Sequence, residues 1–324
     1  LFPAEYRELF DMDRKLSKFI GCITGTAIGD SLGNRREGSD GSRENADLAP
    51  RYTEDTVMTI GVAESLIEHP GFHYWHMTER LLKNYEQEPW RRYGNTVSRV
   101  FRLMRNGRLG FGMLDRGIFP DGSYGNGAAV RVGPVGLLFH DDPRLIRDMA
   151  YHCADITHSH ELAREGAAVQ ACAVALAVLA DPEDIRRTEF LGALRMFTRP
   201  GSYQEKLKTI VRFLEKKPAR QEVIEGLGNI SAALHSVPTA IYSFLAGADF
   251  AGAVNLAMSL GGDADAIGAM TGAIAGACYG IEGIPSQWRE TVENRDYLER
   301  LGRRLWEVNA GISRKSVDDV AEDR

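Results

Sequence analysis

The chain holds only four cysteines in 324 residues, Cys22, Cys153, Cys172 and Cys278, each in an apolar helical context. Such a set indicates neither a disulfide framework nor an activated thiol. No grouping of His and Cys has zinc-ligand spacing. Positive charge is not in excess either: 39 Lys and Arg against 45 Asp and Glu leave a net charge of −6, which argues against a basic face for nucleic acid. The most apolar stretch, 167–180, is interrupted by Gln170 and preceded by Glu161, Arg164 and Glu165, so it reads as a core helix too short to cross a bilayer. The first residues lack a secretory pattern. No membrane partner is expected, and the expected location is the cytoplasm. Runs of alternating β-branched residues are scarce, which leaves an all-α fold as the expectation.

Helical patterns are separated by polar or Pro/Gly punctuation at 34–50, 107–127, 181–182, 199–201 and 216–218. With 44% hydrophobic residues, the chain suffices for one large helical domain or two smaller ones. Residues 1–14 mix aromatic and acidic side chains and read as an extension, either packed or reaching a partner. From 313 to 324 the sequence is charged and poor in apolar residues, as in a frayed tail. The histidines His69, His73 and His76 lie in a polar and aromatic stretch that suggests surface.

Chemistry concentrates in Ser259-Leu260-Gly261-Gly262-Asp263-Ala264-Asp265-Ala266-Ile267-Gly268, which runs into an apolar helical stretch. Two carboxylates at i and i+2 behind a Gly pair suit a turn whose oxygens converge on one hard cation, Mg²⁺, Mn²⁺ or Ca²⁺. They equally suit plain helix capping. A second acidic turn, Tyr52-Thr53-Glu54-Asp55-Thr56, tips the balance, because it too precedes an amphipathic helix with Val57, Ile60, Ala63 and Leu66 on one face. A third acidic residue, Asp30, lies in the small-residue helix Gly21 to Gly33, which permits close packing of its neighbours. The Gly-rich Gly122-Ser123-Tyr124-Gly125-Asn126-Gly127, ahead of a helix start, is either a simple loop or a place where backbone N–H groups approach an anion.

In order along the chain, the Gly21 to Gly33 helix, Thr53-Glu54-Asp55-Thr56, Gly122-Ser123-Tyr124-Gly125-Asn126-Gly127-Ala128-Ala129-Val130-Arg131, Ile156-Thr157-His158, Ser236-Val237-Pro238-Thr239-Ala240-Ile241-Tyr242 and Gly261-Gly262-Asp263 resemble the ADP-ribosylglycohydrolase family over nearly the whole length. The wording is closest to the branch acting on serine-linked ADP-ribose and poly(ADP-ribose). The resemblance implies one multi-helix domain over 15–312 and hydrolysis of the C1″ bond between ADP-ribose and its acceptor, with two Mg²⁺ ions at the floor of a cleft. It implies Thr53, Glu54, Asp55, Asp263 and Asp265 as metal ligands. It places Glu37 as an acid/base or water-positioning group on the scissile bond, with Glu54 and Asp55 beside it. Gly122, Ser123, Tyr124, Gly125 and Asn126 would cradle the diphosphate and distal ribose, and His158 would line the substrate site. Glu37 falls in the polar stretch 34–50, which reads as a lid over the cleft.

This chain departs from the family pattern at two positions. Glu54 stands in place of Asp, and Ala266 in place of a Thr or Ser whose hydroxyl holds metal. One of the two metal positions is therefore expected to be weak or tuned to Mn²⁺ or Ca²⁺. The expected partner is ADP-ribose or an ADP-ribosylated protein or polymer. A second reading, in another class, is a catalytically weak ADP-ribose-binding protein or an immunity-type factor that blocks a transferase. Neither the acceptor nor the oligomeric state is set by the sequence.

Overall fold

Every regular element among the described residues is a helix. The computed structural model describes residues 4–38, 51–106 and 114–322, with side-chain placements over 12–35, 51–106 and 115–311. The N-terminal part contains α1 (Ala4–Gly38), α2 (Glu54–Glu68), α3 (Tyr74–Gln87) and α4 (Asn95–Arg105). A 3-10 turn (Leu114–Gly117) leads to α5 (Gly127–Arg131), α6 (Gly133–Leu138), α7 (Pro143–Ala154) and α8 (Glu161–Leu179). Then follow α9 (Arg187–Phe197), α10 (Ser202–Lys216), α11 (Arg220–Leu227), α12 (Ala233–Ala246), α13 (Phe250–Leu260), α14 (Ala264–Tyr279), α15 (Ser286–Thr291) and α16 (Arg295–Glu322). The only β-type pairing among the described residues is an isolated antiparallel bridge between Gly125 and Ala232.

The organising contact is α1 against α14. A Cβ on Gly21 would lie 2.5 Å from Gly276 O, one on Gly25 2.3 Å from Gly272 O, and one on Gly29 1.9 Å from Gly268 O. Rising numbers on α1 meet falling numbers on α14, so the helices run antiparallel with their backbones touching. Only a small-residue stripe on both partners allows this approach. Its consequence is positional: Gly33 sits over Ala264 and Asp265, which brings Asp30 near the start of α14.

α8 packs against α14, α12, α5, α6 and α7 and is almost wholly buried. Its one uncharged polar interior residue, Gln170, donates from Nε2 to Met270 O at 3.0 Å, so the interruption in the apolar run is a link to α14. The expectation that this segment is too short to span a membrane needs correcting. α8 has 19 residues and is long and apolar enough by composition, but 78% of that window is buried inside the protein, as in a core helix.

Two other boundaries differ from expectation. α1 continues through Asn34, Arg35, Arg36 and Glu37 to Gly38, so Glu37 lies in its last helical turn rather than in a loop. Neither Gly nor Pro interrupts 34–37, and Arg and Glu are good helix formers. The rest of the expected lid, 39–50, lies outside the described residues, as does the side chain of Glu37. At the other end α16 runs to Glu322, so the charged segment from 313 continues a helix. The four cysteines are free and buried, and His69 and His73 are exposed, as expected.

Candidate metal and substrate site

α2 begins where its sequence says it should. Thr53 is the N-cap, its Oγ1 accepting from Asp55 N at 3.3 Å, and the acidic first turn of Glu54 and Asp55 faces the positive end of the helix dipole. The stronger cap comes from another helix. Both carboxylate oxygens of the fully buried Asp30 accept from Thr53 N, at 3.0 and 2.9 Å, and Oδ2 also accepts from Thr56 N at 3.0 Å and Thr56 Oγ1 at 2.6 Å. Asp30 thereby locks α1 to the N-terminus of α2. A loop buttresses the same turn: Glu54 N donates to Arg91 O at 2.8 Å, Arg91 Nη1 donates to Tyr52 O at 2.9 Å, and Gly94 N donates to Glu54 Oε1 at 2.5 Å.

The turn before α14 is built on glycine. Gly261 and Gly262 have φ of +69° and +74°, and a Cβ on Gly262 would lie 1.9 Å from Asn229 O. This is left-handed backbone in a space only glycine fits. Asp263 occupies the N-cap position of α14 without making a side-chain cap. Its Oδ2 instead accepts from Asn126 Nδ2 at 2.6 Å, which decides against plain helix capping at that residue. Asp265 accepts from Ala266 N at 2.8 Å. Ala266 itself is buried in the first turn of α14 and offers no side-chain oxygen.

Carboxylate oxygens of Asp30, Asp55 and Asp265 lie within 4.8 Å of one another. Burial, then the like charges of Asp265, Asp30, Glu54 and Asp263, push Asp55 well above the usual carboxylate range. Burial likewise pushes Asp30 up to about 6 against the hydrogen bonds of Thr56 and Thr53. Glu54 rises to about 7 through burial, opposed by the Gly94 amide and the Arg131 charge and reinforced by Asp30 and Asp263. An all-oxygen set of mutually repelling carboxylates fits a hard divalent cation, whose charge offsets the repulsion. Of the residues expected as ligands, Asp55 and Asp265 meet in this cluster, Glu54 and Asp263 couple to it electrostatically, and Thr53 holds the turn. Asp30, noted in the sequence but given no role there, is the residue that joins them.

The sign of these shifts gives a testable pH dependence. Folded-state values above the unfolded carboxylate value mean that the metal-free fold is favoured by keeping these protons. That contribution is full below about pH 4 and is lost as the pH rises through about 6 to 7 for Asp30 and Glu54. A cation must displace the same protons, so the rise in Tm on adding Mg²⁺ should be larger at about pH 8 than at about pH 5. Calorimetry with and without EDTA checks it, and a rise independent of pH would separate the cation from these carboxylates.

The Gly-rich turn lies alongside. Gly122 has φ of +81°, and a Cβ there would meet His160 N and Ser159 Oγ at 2.5 Å. Asp115 Oδ2 accepts from Ser123 N at 2.6 Å and Ser159 N at 2.8 Å, tying the turn to the segment that carries His158. Asp115 is fully buried and was not picked out in the sequence, where Leu114-Asp115-Arg116-Gly117 looks like any polar loop. Gly122 N, Ser123 N, Gly125 N and Asn126 N all donate within the protein, so the expected nest of free amides is only partly available. Tyr124 is 60% exposed, edge-on to His160 at 5.9 Å, and is therefore not core packing. His158 is buried, with its ring edge against Gly125 and Gly127: Cβ atoms there would lie 3.2 and 3.3 Å from Nε2. Burial and the Arg131 charge lower its pKa to about 3.

An all-helical domain with a buried carboxylate cluster beside a Gly-rich turn fits a metal-binding site, and comparison with known proteins gives the family. A model of the ADP-ribosylglycohydrolase family matches residues 11–314. The human ADP-ribosylhydrolase ARH3 is 31% identical, over 91% of this chain and 94% of its own. The ADP-ribosylarginine hydrolase Tri1 of Pseudomonas putida is 24% identical, over 91% of this chain and 79% of its own. A solved structure described as an ADP-ribosylglycohydrolase-related protein complex shares the fold, with a TM-score of 0.70 at 24% identity over 92% of this chain and 99% of that one. The chain belongs to the ADP-ribosylglycohydrolase family, whose members are glycosidic-bond hydrolases.

Proposed function

We propose that this chain is a divalent-metal-dependent hydrolase that frees ADP-ribose from its acceptor by breaking the C1″ bond, with serine-linked ADP-ribose or the ADP-ribose polymer as substrate. The observation that carries this reading is the Asp30, Asp55 and Asp265 cluster. Departure of the acceptor builds positive charge on the anomeric carbon, so the site must orient the ribose and supply a water. A bound divalent cation would polarise ribose hydroxyls and lower the pKa of that water. Glu54, Asp55, Asp263, Asp265 and Thr53 are the residues that would hold it, two Mg²⁺ being the family expectation and one position weakened by Ala266.

The chain's own groups do the remaining work. Asp30 accepts from Thr53 and Thr56 and so fixes the direction of the first turn of α2, where Glu54 and Asp55 stand. Asn126 bridges the Gly-rich turn to Asp263 and so holds that turn beside the carboxylates. Glu37, in the last turn of α1, is the proposed acid/base or water-positioning group at the scissile bond. Tyr124 offers an exposed ring face to the distal end of the ligand.

Ala266 favours a second reading, a catalytically weak ADP-ribose-binding protein, because it leaves the first turn of α14 without a hydroxyl. Release of ADP-ribose from serine-, arginine- and poly-ADP-ribosylated substrates, with Mg²⁺, Mn²⁺, Ca²⁺ or EDTA, separates the two. The expected result is release from serine-linked and polymer substrates that EDTA stops. Binding of ADP-ribose without release from any substrate would establish the weaker reading.

A further inference from the structure

Arg131 is fully buried, yet its hydrogen-bond partners are all neutral: Nη1 donates to Thr157 Oγ1 at 2.8 Å, Nη2 to Cys153 O at 2.6 Å, and Nε to Cys153 Sγ at 3.5 Å. A guanidinium has no acceptor and donates in every contact. Thr157 Oγ1 therefore accepts a hydrogen bond from Arg131, and its second contact is His158 Nδ1 at 2.7 Å. Thr157 is also fully buried, and no other hydrogen-bond partner of its hydroxyl is present among the described residues. If Nδ1 carried a proton, the hydroxyl would accept twice and its own O–H would be buried without an acceptor, which costs more than a made hydrogen bond returns. The hydroxyl proton thus goes to Nδ1, and the ring proton sits on Nε2. That nitrogen lies against Gly125 and Gly127 and has no hydrogen-bond partner among the described residues.

We propose that Arg131 and Thr157 act as a positioning relay that fixes His158 as a neutral imidazole with its proton on Nε2. A donor, rather than an acceptor, then faces the Gly-rich turn where an anionic oxygen of the ligand would lie. Arg131 and Thr157 touch no substrate; they set which nitrogen of His158 offers a proton. The low proton affinity of the ring agrees: burial first, and then the Arg131 charge, disfavour a second proton on the imidazole. The ligand half of the proposal rests on ADP-ribose being what binds here, and the tautomer half does not.

The test is ¹⁵N NMR of the histidine side chains in the full chain, with ADP-ribose titration, for the wild type, Thr157→Val and Thr157→Ser. The wild type should show His158 protonated on Nε2 alone, and Thr157→Ser should keep that state. Thr157→Val keeps the volume, removes the relay and should lose the fixed tautomer. Its ADP-ribose affinity should fall by about tenfold to a hundredfold, the scale of a hydrogen bond to a charged group, with thermal unfolding reporting that the fold is retained. A wild-type His158 protonated on Nδ1, or the same tautomer in Thr157→Val as in the wild type, overturns the relay. A wild-type protein with the expected tautomer and no affinity for ADP-ribose supports the relay and overturns the proposed function instead.

Discussion

Asp265→Asn should cut ADP-ribose release by about a thousandfold, the scale of removing a preorganised charged group from a reacting centre, while the metal-free protein becomes more stable than the wild type. The two effects have one cause. Asp265 is, after burial, the largest influence raising the proton affinity of the Asp55 carboxyl. The amide has the same shape without the charge, so it relieves repulsion that only a cation would otherwise offset. Relief of about 1 kcal/mol corresponds to a Tm rise of roughly 1–2 °C in a chain of 324 residues. The same change removes a negatively charged oxygen from the cluster proposed to hold the cation, so the gain in Tm on adding Mg²⁺ should shrink or vanish. Release assays and thermal unfolding with EDTA check both halves. A variant that is inactive and also less stable without metal would show that Asp265 is structural rather than a strained ligand.

Parts of the site are legible in the sequence because they are local patterns, and the rest are not because they depend on contacts made across the fold. The Gly261-Gly262-Asp263 turn and the Thr53-Glu54-Asp55 helix start are local patterns, each explicable from capping, glycine conformation and the period of the following helix. Asp30 was visible only as an acidic residue in a small-residue helix. Its function is to cap a helix that begins more than twenty residues later, and no local spacing encodes a cap delivered across a helix packing. Asp115 was missed for a related reason: it organises two turns from a 3-10 segment with no periodicity of its own. Arg131 was read as the last letter of the Gly-rich segment, because a buried guanidinium with neutral partners leaves no pattern in sequence. The all-α class was easier, since it depended on composition and period alone. The end of α1 at Gly38 is not legible, because a polar stretch suits a loop and a solvated last helical turn equally.

Gly29→Ala should cost about 3 kcal/mol or more, at the upper end of what overpacking a core usually does, and should take the activity with it. The added methyl carbon would lie 1.9 Å from Gly268 O and 2.4 Å from Gly268 C, and both are backbone atoms with no rotamer to turn away. The only relief is separation of α1 from α14. Separation moves Asp30, the next residue, away from Asp265, and loosens the four hydrogen bonds by which Asp30 holds the start of α2. The same substitution elsewhere should have the opposite sign. Gly192, inside α9, has nothing within 4 Å of where its Cβ would be and no left-handed backbone. There the alanine only restricts the unfolded chain and favours the helix, for a gain of about 0.4–1 kcal/mol. Denaturant midpoints for the two variants, read with ADP-ribose release, test the pair. If Gly29→Ala were tolerated within about 0.5 kcal/mol, the ordinary range of surface changes, the touching of α1 and α14 would not be what places Asp30 beside Asp265. If it were destabilised but fully active, the carboxylate cluster would not depend on that packing.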